Sequence, residues 1–141
     1  MLGPVIGVVV VAAILHMLGT ILGGQQTFTE MFTVTTWARV PLVLGALAQT
    51  VQHVLGGWDP NPRGLSGLVA PDPLDPEAQR SYLEPLLAEI ELWNLWYLAL
   101  LVIAVWAASR VSGRKAAIAV LVYVAFRIAL GSAGVALSNL F

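Results

Sequence analysis

The sequence contains no cysteine, which excludes a disulfide framework, a thiolate nucleophile and a zinc–thiolate site. Charge is scarce as well: Asp, Glu, Lys and Arg make up 11% of the 141 residues, against 58% hydrophobic. A soluble domain of this size cannot hide that much apolar surface, so lipid is the solvent for much of the chain. The net charge of −1 gives no reason to expect nucleic acid as a partner. Enzyme signatures are missing. Ser109, Ser112 and Ser132 have no histidine at matching depth and no acid to orient one. The pairs Gly23-Gly24 and Gly56-Gly57 lack the lysine and the preceding strand of a phosphate loop, and fit helix ends instead. The first apolar run has no basic flank and ends in Gly-Gly-Gln-Gln, so it reads as a retained span rather than a cleaved signal.

What is present is four apolar segments, each about the twenty residues that a helix needs to cross a bilayer. They cover about residues 4–23, 38–57, 90–109 and 116–139. Lipid forces them to be helices, since they are too long and too unpatterned for barrel strands. The expected fold is therefore all-α, an integral membrane four-helix bundle with short interfacial helices. One such helix is expected over 28–36, where Thr27 and Glu30 form a capping-box pair. Phe28, Met31, Phe32 and Thr35 give that helix one apolar stripe. Trp37 and Arg39 suit the headgroup zone at its end. A second is expected over 76–88, after Asp75-Pro76, inside a proline-rich extramembrane loop at 58–89.

Orientation follows from the turn SRVSGRKA, which carries Arg110, Arg114 and Lys115 and no acid. The positive-inside rule makes that turn cytoplasmic. Counting back, the 24–37 turn is inside, and loop 58–89 and both termini are outside. Trp37, Trp58, Trp93, Trp96 and Trp106 lie near span ends and read as interface anchors.

Arg127 is the single most informative residue. It lies about 17 Å from the cytoplasmic edge at about 1.5 Å per residue, where an unsheltered charge is costly. Arg127, Gly131, Gly134 and Ser138 share one helix face, whose small residues permit close helix approach. By the same rise His16 falls at about 12 Å and Gln49 at about 15 Å. The expected buried polar cluster is Arg127, Gln49 and His16, with Asn94. Its two interpretations are structural glue and a path for an ion or substrate. No carboxylate is expected at mid-depth to serve a proton or cation path. His16 and His53 could ligate a heme or a chlorophyll, but His53 lies about 9 Å deeper, so no cofactor is assigned. Glu84, Glu89 and Glu91 with Asp72 and Asp75 fit a solvated acidic face better than a metal site.

Two stretches resemble a known family. GGQQTFTEMF before a proline-started span, and LLAEIELWNLWYLALL followed after a short turn by SGRKAAIAVLVYV, resemble the Yip (Ypt-interacting protein) domain family in its bacterial form. The resemblance covers about 110 residues. It implies a multi-pass membrane fold of which this chain keeps the last four of five spans. Removing the first span would leave the amino terminus outside, in agreement with the basic turn; whether Met1 is the true start bears on this. Eukaryotic members act in membrane traffic and bind Rab-class GTPases, a partnership not carried over here. The function expected is a non-catalytic membrane-embedded interaction or accessory subunit in the bacterial cytoplasmic membrane. Its partners would be the lipid bilayer and other integral membrane proteins. The alternatives are a small-solute or lipid transport component using the Arg127 cluster, and a pigment- or heme-binding accessory subunit.

Overall fold

The computed structural model of the chain describes residues 3–56, 83, 86–87 and 89–138. Five α-helices follow in order: α1 Gly3–Ile21, α2 Phe28–Ala38, α3 Val40–Gly56, α4 Leu92–Ser109 and α5 Gly113–Ser138. Among the described residues there is no strand. The helix expected over 76–88 and most of the 58–89 loop lie outside the described residues. Among the described residues three stretches are long and apolar enough to cross a membrane: Phe28–Leu55, which joins α2 to α3, Leu92–Ser109 and Gly113–Leu137. Val5–Ile21 is a shorter apolar helix.

Within an apolar eighteen-residue window of each crossing stretch only 22–28% of the residues are buried. Val43, Leu47, Val54, Leu55, Ile103, Leu121 and Leu130 are all exposed. Water would not tolerate so continuous an apolar surface, whereas in lipid a helix has satisfied its own backbone and can show apolar side chains outward. The protein is an all-α membrane bundle.

Helix α4 holds the bundle together, because it touches each of the other four helices. Its Tyr97, Leu101, Val105 and Ser109 are buried, spaced every four residues so that they form one inward stripe. Against that stripe lie Val11 and Leu15 of α1, Met31 and Ala38 of α2, and Ala116, Ala119, Val120 and Tyr123 of α5. Among these, the small Ala38 of α2 and Ala116 and Ala119 of α5 let the backbones approach closely.

The Gly-Gly-Gln-Gln segment ends α1 with a Schellman motif. The Gly24 N–H donates to the Gly19 carbonyl (2.8 Å) and the Gly23 N–H to that of Thr20 (3.0 Å), with Gly23 left-handed at φ 91°. Gln26 then folds back, its Nε2 donating to the His16 carbonyl at 2.9 Å. A Cβ on Gly24 would collide with Gln26 Oε1 and lie 2.8 Å from the Gly19 carbonyl and 3.0 Å from Ser109 Cβ. Only glycine fits there. The next residues start α2 with the expected capping box: the Glu30 N–H donates to Thr27 Oγ1 (3.2 Å), and the Thr27 N–H donates to Glu30 Oε2 (2.7 Å).

Helix α2 is more than a surface turn. Met31, Thr35 and Ala38 are buried and the helix packs against both α1 and α4. Thr33, Thr35 and Thr36 donate their hydroxyls to carbonyls one turn back, which for the buried Thr35, bonded to Met31 at 2.7 Å, hides the polar group. Pro41 has no N–H to give and its ring crowds the carbonyl four residues earlier. The helix therefore breaks at Arg39, whose backbone stays helical at φ −78°, ψ −6°, and resumes as α3.

Candidate functional site

The polar groups gather at two ends of the bundle. At one end, the Lys115 ammonium donates to the Leu22 carbonyl at 2.8 Å, and Arg110 is near enough to Glu30 to act on it electrostatically. The 23–27 turn and the basic Arg110–Lys115 turn thus share one end. Arg110 itself caps α4 in a left-handed conformation, φ 54°. Arg114 is exposed beside it.

The other end is the amino terminus of α4, reached from α5 by Arg127. Its guanidinium pairs with the Glu89 carboxylate at 2.8 Å, the side chains being 36% and 13% exposed. It also lies 5.8 Å from the centre of the Tyr123 ring, within cation–π range. Asn94 is buried and its Nδ2 donates twice to Glu89, to the backbone carbonyl at 2.8 Å and to Oε2 at 2.7 Å. Gln49 of α3 donates to Glu91 Oε1 at 3.1 Å. These groups line a half-open cavity of about 280 Å³, closed on its apolar side by Leu42, Gly45, Ala46 and Trp93. Gly45 is required for that wall, because a Cβ there would lie 2.6 Å from Trp93 Cγ. The eighteen residues of α4 rise about 27 Å, close to the ~30 Å hydrocarbon thickness. Glu91 at the start of α4 is therefore about one membrane core away from the basic turn, whereas Arg127 lies about 21 Å along α5 and extends its guanidinium to Glu89.

The structure brings Arg127, Gln49 and Asn94 to one cavity and puts His16 elsewhere. His16 sits on α1, its ring edge-on to Phe28 at 6.0 Å and its Nδ1 buried without a partner. Depth along a helix fixes level but not azimuth, and His16 points to the α1–α2 junction. His53 is exposed on α3. The four residues expected at one interface are separated. Thr27 and Glu30 lie at the basic end, Trp37 is 72% exposed, and Arg39 lies beside Gly7 of α1 and within electrostatic reach of Tyr97. Along α2 that is about 18 Å from Thr27, and the Arg39 Nε is buried without a partner. The face of α5 carrying Gly134 has no neighbour within 4 Å of a Cβ there.

Glu89 and Glu91 were missing from the expected cluster. Counted back from the short 110–112 turn, Arg127 of the antiparallel α5 falls opposite about residue 95, one turn inside α4 from Glu91, and its long side chain spans the remainder to Glu89. Tyr97 and Tyr123 were missed too. Both are buried and they interact with each other, Arg39 and Arg127 acting on Tyr97 as well.

Helices that satisfy one another's polar groups at the two ends, with apolar flanks between, define a polytopic membrane protein held by helix packing. The chain matches the Yip1 domain over residues 1–135 and belongs to that family. Neither a curated protein nor a solved structure matches it.

Proposed function

We propose that the protein is a non-catalytic, membrane-embedded interaction or accessory subunit of the family's bacterial branch. In this reading it lies in the cytoplasmic membrane, with the basic turn inside and the 58–89 segment and both termini outside. Its partners are the bilayer and other integral membrane proteins.

The observation that carries this reading is the internal pairing of the polar cluster. Arg127 is matched by Glu89, Asn94 by Glu89 and Gln49 by Glu91. Groups satisfied in this way fix helix register and rotation. The large apolar outer surface remains as the part able to meet another protein's helices. Arg127→Gln tests it, scored both for retention of co-purifying membrane proteins and for solute flux in vesicles. Lost assembly with unchanged flux supports the interaction role; intact assembly with lost flux overturns it.

A second reading, a transport component, draws its support from the cavity beside Arg127. The Arg127→Gln flux measurement separates the two. The pigment or heme alternative is tested by a visible absorption spectrum in mild detergent, where absence of a Soret or bacteriochlorin band ends it.

A further inference from the structure

The cavity at the amino end of α4 is unbalanced in charge. Glu89 is matched by Arg127 at 2.8 Å, while among the described residues the side-chain partner of Glu91 is the neutral amide of Gln49 at 3.1 Å. No described residue supplies a cation to Glu91, so among the described residues its charge is unmatched. In a site walled by Leu42, Ala46 and Trp93 such a charge is poorly screened and attracts a cation. Arg127 uses one terminal nitrogen on Glu89, and its other N–H donors remain available on a side chain 36% exposed. The same cavity therefore offers an unmatched carboxylate and a guanidinium with donors to spare.

We propose that this cavity binds a phosphoethanolamine-type zwitterion, supplied by the headgroup of a membrane phospholipid. The ammonium donates to Glu91 and the phosphate accepts from Arg127, which suits guanidinium geometry. The volume of about 280 Å³ has room for about nine waters at ~30 Å³ each, enough for such a headgroup. The level suits a headgroup: Glu91 stands at the amino end of α4, about 27 Å along it from the basic turn and close to the ~30 Å hydrocarbon thickness, with Arg127 slightly deeper, about 21 Å along α5. The cavity is half-open, and Ile90 and Leu92, which flank Glu91 in the sequence, are exposed apolar side chains against which acyl chains can lie. An anionic headgroup without an amine is disfavoured by Glu91. The inference goes beyond the interaction role and does not depend on it.

The test is native mass spectrometry of the full chain released from nanodiscs of equal parts phosphatidylethanolamine and phosphatidylglycerol. The wild type is expected to retain phosphatidylethanolamine about tenfold over phosphatidylglycerol, the factor one charged hydrogen bond supplies. Glu91→Gln keeps the Gln49 bond and removes the charge, so its preference should fall toward parity with an unchanged melting temperature. Equal retention of both lipids by the wild type, or a preference that Glu91→Gln leaves intact, overturns the proposal. If Glu91→Gln fails to fold, wild-type thermal stability in detergent decides. Stabilisation by phosphatidylethanolamine but not phosphatidylglycerol supports the proposal, and stabilisation by neither or by both equally refutes it. Soluble phosphoethanolamine added alongside distinguishes the source: stabilisation equal to that of the lipid overturns the lipid origin.

Discussion

Replacing Gly24 with alanine asks whether the α1–α2 junction is as tight as its geometry states. The added Cβ meets Gln26 Oε1, the Gly19 carbonyl at 2.8 Å and Ser109 Cβ at 3.0 Å. The carbonyl belongs to the helix backbone and Ser109 is fully buried on α4, so only Gln26 can move away. If it moves, its hydrogen bond to the His16 carbonyl at 2.9 Å is lost. Overpacking costs about 1–3 kcal/mol and the lost bond about 1 kcal/mol, giving about 2–4 kcal/mol in total. In thermal unfolding in mild detergent, followed by tryptophan fluorescence, this corresponds to a fall of about 5–15 °C. Gly134→Ala is the control. A Cβ at Gly134 has nothing within 4 Å, and alanine favours a helix over glycine by about 1 kcal/mol, so its melting temperature should hold or rise. Equal losses at the two positions, or an unaffected Gly24→Ala, would refute the packing argument.

Three further outcomes follow from the same geometry. Thr27→Ala removes the capping box and should destabilise by about 1 kcal/mol, a loss that Thr27→Ser largely restores in the same melt. Gly45→Val pushes against Trp93, whose Cγ would stand 2.6 Å from the new Cβ. A loss of about 1–3 kcal/mol should appear together with a shifted tryptophan emission. Asn94→Leu removes both donors to Glu89 and should cost about 1–3 kcal/mol. A double-mutant cycle with Arg127→Gln should show coupling between the two, whereas strict additivity would separate Asn94 from the ion pair.

Local chemistry was the most legible part of the sequence. Thr27 and Glu30 announce their cap because both partners lie within one turn, and Gly23-Gly24 announces a helix end because left-handed backbone favours glycine. Membrane helices were legible from hydropathy alone, since lipid leaves the backbone no other choice. The site was legible in part. Arg127, Gln49 and Asn94 could be matched by level, but a level does not say which way a side chain points, and His16 turned out to face Phe28. Glu89 and Glu91 were assigned to a solvated acidic face because hydropathy drew the span edge at Ile90. What hydropathy cannot register is that Arg127, inside α5, extends its side chain to Glu89 just outside that edge. Helix α2 was legible as a helix over 28–36, but its packing inside the bundle was not: FTEMFTVTTWA is rich in threonine, and only the hydrogen bond of Thr35 to the Met31 carbonyl reveals how the buried hydroxyl is satisfied.

The central claim is that the apolar outer surface serves to engage other membrane proteins. It is tested most directly by a photo-crosslinking residue placed at Leu121, an exposed position on α5, and activated in native membranes before mass spectrometry. The account predicts a defined integral membrane protein as the adduct, lost when the crosslinker is moved to buried Leu101 of α4. Lipid adducts alone, at Leu121 and at other exposed positions such as Val43 and Leu130, would contradict it.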